Sequence, residues 1–90
     1  MGLKVSDIVS NASSKAVPHG RNLDRIGWWS GYMVVQFKGR RDRWIYGPDI
    51  PQEEEAKILR VPYPDKLFTT NIKNKFKAYK VGIGDRKSVV

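Results

Sequence analysis

Two runs rich in aromatic and β-branched residues meet at Ser30-Gly31, and nothing else in this 90-residue chain limits its fold as tightly. A two-residue connection with Gly in second place suits a tight turn that needs positive φ, so Ile26–Trp29 and the residues after Gly31 predict a β-hairpin. In the second strand Met33, Val35 and Phe37 fall on one face and Val34, Gln36 and Lys38 on the other, the period of a strand with one buried side. The loop Lys38-Gly39-Arg40-Arg41-Asp42 then reverses the chain into Arg43–Gly47, where Trp44 and Tyr46 alternate with Arg43 and Ile45. The expectation is a three-stranded antiparallel meander.

A lone hairpin is marginal in water, so the meander needs a cover. The segment after Gly47 supplies one. Asp49 is positioned to cap a helix with Gln52 three residues on, Pro51 suits the first turn, and Pro62 disfavours helix at Val61. Glu53, Glu54 and Glu55 lie near the positive end of that helix dipole and Lys57 and Arg60 near its negative end. Ala56, Leu59 and Ile58 are expected to face the sheet. Beyond the rigid Pro62-Tyr63-Pro64 connector, Phe68, Ile72 and Phe76 recur every four residues and predict a second short helix with one apolar stripe. The last alternating stretch, 76–81, fits an extended segment. The fold class is therefore α+β, a meander covered by one or two short helices.

Trp28 and Trp29 are adjacent in a strand and must point to opposite faces. Ile26 and Trp28 share one face, Gly27 and Trp29 the other, so Trp28 is expected in the core. Trp29 is left either under the N-terminal segment or as an exposed, partner-facing aromatic.

The length allows one domain, read as residues 21–81, with a partly ordered N-terminal extension over 1–20 and a mobile tail over 82–90. Within 1–20, Val5, Ile8 and Val9 suit one turn of helix or a strand edge. With no cysteine there is no disulfide framework, thiolate metal site or Cys nucleophile. The apolar runs are too short to span a membrane, and the start has no signal-peptide core. A soluble cytoplasmic protein is expected.

The net charge is +8 and unevenly spread. Residues 21–46 carry six basic and two acidic residues, 66–90 carry seven and one, and the intervening 47–65 carry two and five. Two basic blocks flanking an acidic one favour a phosphate-bearing partner. The residues expected to contact RNA or DNA phosphates are Lys38, Arg40, Arg41 and Arg43 with Lys73, Lys75, Lys77 and Lys80. Charged hairpin tips also guard sheet edges, so the loop arginines have a purely structural alternative. The three consecutive glutamates and an exposed aromatic favour a rival reading, a protein-interaction module docking on a host protein, such as a phage-type inhibitor of a host nucleic-acid enzyme.

Ile26-Gly27-Trp28, MVVQFKG, RWIYG, a helix after a proline, and a closing run with Phe68, Asn71, Ile72, Lys73 and Phe76 together resemble the KTSC domain. That small module occurs alone in bacteria and phages and attached to some lysyl-tRNA synthetases. The resemblance covers about residues 22–81 and implies an α+β fold with no established catalytic residues, and its synthetase attachment suggests contact with nucleic acid. The extra N-terminal segment, the Trp28-Trp29 hairpin, the KGRRDR insertion and the LRVPYPDK connector depart from the family pattern.

Catalysis is not expected. Pro48-Asp49 and Glu55-Ala56-Lys57 mimic pieces of a metal-dependent nuclease site, but such carboxylates converge from neighbouring strands, whereas these sit within nine residues at a helix start. His19, the single histidine, lies in a turn sequence. No metal or other cofactor is implied.

Overall fold

A computed structural model of the chain describes residues 5–81. Their order is α1 (Val5–Asn11), β1 (Lys15–Ala16), β2 (Leu23–Trp29), β3 (Tyr32–Phe37), β4 (Arg43–Tyr46), α2 (Gln52–Arg60), α3 (Pro64–Phe68), a π-helical turn (Thr69–Lys73) and β5 (Ala78–Val81). The fold is α+β. Its sheet is antiparallel throughout, with strands in the order β1-β2-β3-β4-β5. The expected meander forms the three central strands, but the sheet has five: the N-terminal segment adds a two-residue edge and the 76–81 stretch adds the other. Neither edge has a long apolar run, which is why a period-2 reading finds the centre first. Residues 82–90, read from sequence as a tail, lie outside the described region.

Ser30 and Gly31 close the β2–β3 hairpin with φ of 51° and 86°, the two positive values of a type I′ turn. The turn is also a docking point. The Gly31 carbonyl accepts the Ile50 N–H at 2.9 Å, and a Cβ on Gly31 would stand 3.0 Å from the Asp49 nitrogen. Asp49 itself is left-handed, φ 73°, and does not cap the helix. The cap position is Pro51, with no side-chain bond, so the capping-box expectation fails because the chain bends at Asp49 to meet the hairpin tip.

One sheet face carries the main core. Leu23, Ile26, Met33, Val35 and Tyr46 pack there with Ile50, Ile58, Phe68 and Ile72 from the helical side, and Trp28 joins them half-buried. The Trp28 indole N–H donates to the Ile50 carbonyl at 2.7 Å, satisfying its one polar group at the core edge. On α2 the buried positions are Glu55 and Ile58, with Leu59 half-buried, whereas Ala56 is exposed. The helix is rotated so that its branched side chain reaches deepest. Ala56 loses little by facing water, and the Glu55 carboxylate is turned inward, where one oxygen meets the Lys15 ammonium at 3.5 Å and the other has no partner among the described residues.

The opposite face is covered by α1. Ile8 and Ile45 are buried, at 4% and 1% exposure, but lie outside the main cluster. Gly27 makes this second layer possible, since a Cβ there would fall 2.1 Å from the Ser13 carbonyl oxygen. Arg25 pins the crossing segment through Nε to Ser14 Oγ (2.6 Å) and Nη2 to the Ser14 carbonyl (2.8 Å).

The predicted helix over 65–76 is divided. Phe68 and Ile72 are buried as expected, but α-helix ends at Phe68, and the π-helical turn that follows closes with the Asn74 N–H on the Thr69 carbonyl at 3.1 Å. Phe76 lies beyond it, half-buried, and does not complete a helical stripe.

Candidate nucleic-acid interface

The main-core face is not covered along its whole length. Strand pairing sets Trp44 opposite Val35 and Lys80, and Tyr46 opposite Met33 and Ala78, on the same side as Phe37. The helices pack over the β2 side and leave a groove of about 550 Å³ at the β4–β5 side. Phe37, Trp44, Tyr46, Phe76 and Ala78 line it, with Arg40 and Lys73 at its walls. Lys73 comes from the π-helical turn, an irregularity often found at functional sites. Arg40 comes from the β3–β4 loop, which the Gln36 side chain braces by donating to the Arg40 carbonyl at 3.1 Å.

The expected phosphate contacts distribute unevenly around this groove. Arg40 and Lys73 border it. Lys80 projects from the same sheet face beside Trp44, with its ammonium 3.2 Å from the Asp42 carboxylate. Arg41 is exposed in the loop, and Lys75 and Lys77 are exposed between the π-helical turn and β5. Lys38 is exposed and its charge reaches Asp65. Arg43 does not join them. Its register partner is Gln36, so it faces the α1 side, where it and Arg25 line a cleft of about 140 Å³.

Trp29 likewise stands apart. It pairs with Tyr32 next to the Ser30-Gly31 turn, on the α1 face and at the opposite end of the sheet from Arg40, and it is half-buried. The aromatics that accompany the cations are Trp44, Phe37, Tyr46 and Phe76. A parity count from Trp44 to Tyr46 already put both on one face, but bringing Phe76 and Lys73 alongside required the third dimension.

Two titrating groups show what surrounds the groove. Burial raises the Tyr46 phenol above its ordinary value, so it stays a neutral hydroxyl well beyond neutral pH. Burial also acts to raise the Asp65 carboxyl, but backbone N–H donors from Asn22, Leu23 and Arg21, with the charge of Lys38, outweigh it and hold the group below the usual carboxylate range. Its oxygens accept the Arg21, Asn22 and Leu23 N–H groups at 2.8, 3.0 and 3.1 Å respectively, fixing the turn into β2.

Among the described residues no group of three or more His, Asp or Glu is placed to hold a metal ion. Asp49 is exposed in its turn, whereas Glu55 is buried beside Lys15. No described helix is long and apolar enough to cross a membrane. No protein-family model matches the chain, and comparison with curated proteins and with solved structures finds no similar one.

Proposed function

We propose that this protein is a non-catalytic nucleic-acid-binding module that holds RNA or DNA by its phosphates, with little sequence discrimination. One observation carries the reading: Arg40, Lys73 and Lys80 gather around an aromatic-floored groove on the uncovered part of the sheet. Binding of this kind releases condensed counterions, so affinity falls steeply with salt. Arg41 adds charge in the loop next to Arg40, Lys77 adds it at the other end of β4, where its carbonyl accepts the Gly47 N–H, Lys75 is exposed nearby in sequence, and Lys38 offsets Asp65. Arg43 belongs to the other face and is left out of the interface. The cytoplasm is the proposed compartment, and the likeness to the KTSC domain is kept as a proposal resting on the sequence.

A salt titration tests the reading. Labelled RNA and DNA are expected to bind in low salt and to dissociate along a linear log–log slope, and the slope should shrink by about one contact, roughly 0.7 to 0.9, when Lys73 or Arg40 is replaced by Ala. Absence of binding at micromolar protein in low salt refutes it.

A second reading, docking on a host protein, is favoured by a different residue from the one expected. Tyr63 is 72% exposed between Pro62 and Pro64, above a hollow of about 560 Å³ that includes His19, Arg21 and Lys66. A rigid, exposed aromatic loses little entropy on binding and makes a good anchor. The glutamates lend it less support, because Glu54 is engaged by Asn71 and Lys57, and Glu55 by Lys15. Capture of a stoichiometric protein after nuclease treatment, lost on Tyr63→Ala, would establish this reading in place of the first.

A further inference from the structure

We infer that the aromatic groove receives an unpaired nucleobase, so that this face binds single strands in preference to duplexes; the inference rests on the nucleic-acid reading above. The rings lining the groove are not equivalent. Phe68, behind them, meets Phe37 edge-on at 6.0 Å and Tyr46 at 5.1 Å and 90°, which locks both. Tyr46, at 3% exposure, has almost no free surface. Trp44 and Phe76 are different. Both pack against the core yet remain half-buried, and both border the groove. Phe37 is half-buried too, but its ring is held edge-on by Phe68, whereas Trp44 and Phe76 have no aromatic neighbour among the described residues and offer their rings to a ligand.

What lies beside them selects the ligand. Lys80 is the direct cross-strand neighbour of Trp44, and directly opposed residues have Cβ atoms about 5 Å apart. Arg40 and Lys73 stand at the groove walls. A ring with cations within one nucleotide's reach fits a base stacked on the ring and its phosphate on the ammonium or guanidinium. In a duplex both faces of each base are covered by its neighbours, and a ring can stack only on a base that has left the helix. The groove volume of about 550 Å³ is within the range of small-molecule sites. It leads past Phe37 and Lys73 towards a hollow of about 110 Å³ that Asp65 also lines. The Asp65 oxygens there are taken up by three backbone N–H groups, and the strand passes along Arg40, Lys73 and Lys80, the last releasing Asp42 to reach a phosphate.

The test compares three ligands of equal length, about 12 nucleotides, on the unmodified protein: a mixed-sequence single strand, an abasic strand with the same number of phosphates, and the matching duplex. The base-bearing strand is expected to bind at least about tenfold more tightly than either of the others and to quench tryptophan fluorescence. Trp44→Leu should remove about ten- to a hundredfold of that affinity without altering the salt slope, since no cation is lost, while Lys73→Ala should reduce the slope. If Trp44→Leu does not fold, Phe76→Leu and the abasic comparison decide. Equal affinity for abasic and base-bearing strands, or for duplex and single strand, overturns the base-binding inference and leaves the phosphate reading standing. Failure of all three ligands to bind in low salt overturns both.

Discussion

Gly27→Ala adds one methyl group to the centre of β2, where alanine is otherwise no worse than glycine for a strand. Here the added Cβ would lie 2.1 Å from the Ser13 oxygen and 2.8 Å from its carbonyl carbon, both backbone atoms that no rotamer change can move. The segment after α1 must lift, and it carries Ile8 with it. Overpacking of this kind costs about 1–3 kcal/mol, a considerable share of the roughly 5–13 kcal/mol expected for a domain of this size. Ile8→Ala alone should cost about 2–5 kcal/mol, as for other buried isoleucines. The two changes act on one contact layer, so the double variant should be less destabilised than their sum, by at least about 1 kcal/mol. Urea unfolding of all four proteins, followed by circular dichroism, measures this coupling. Additivity within about 0.5 kcal/mol, or a Gly27→Ala cost below that value, would show that the N-terminal helix is not seated through Gly27.

Asp65→Asn should cost about 1–3 kcal/mol near neutral pH, because the amide leaves one oxygen for the three N–H donors. Since the folded pKa is depressed, the native carboxylate's contribution is complete above the ordinary value of 3.8 and is lost as pH falls through the folded value, so the variant's stability curve should be flatter in acid; an unchanged acid limb refutes this. Glu55→Met should leave thermal stability unchanged or raise it, because among the described residues the buried carboxylate has one oxygen without a partner and only a partly exposed counter-ion, Lys15; a fall of several degrees would show that the Lys15 pair is a net stabiliser. Trp28→Ala should cost about 3 kcal/mol, having lost core contacts and its bond to Ile50, and Trp29→Ala about 1 kcal/mol. The reverse order in urea melts would mean that the two faces contribute oppositely to their packing.

Much of the fold can be read from local signals. The Ser30-Gly31 turn, the alternation of Met33, Val35 and Phe37, and Pro62 after α2 each act within a few residues, so the hairpin, the third strand and the helix end are legible. The Asp49 cap is a false signal because a capping box is a local pattern, whereas the bend at Asp49 seats the Ile50 N–H on Gly31, nineteen positions before Ile50. Glu55 is likewise hidden, since helical periodicity assigns the inner face to apolar residues and carries no sign of Lys15 arriving from the edge strand β1. The two edge strands are short and exposed, and Ala78–Val81 becomes a strand only because β4 offers it hydrogen bonds. For the candidate interface, the cationic residues stand out by charge. Trp44 and Phe76 looked like ordinary core residues, and only the gap between the helices and β5 gives them a free side. Trp29 looked available from its position in the strand, yet it lies away from that gap.

The order of strands in the sheet matches their order in the chain, but the steps between them are unequal. Two residues join β2 to β3 and five join β3 to β4, whereas β5 is separated from β4 by the 31 residues that form α2, α3 and the π-helical turn. Closing so long a loop is slower and costs more entropy than either hairpin, so β5 is the natural last piece to arrive. The groove has the earlier meander for its floor and that final strand for one wall. It therefore exists only once assembly is complete, and any strand of nucleic acid held there should slow hydrogen exchange most at the amides joining β4 to β5.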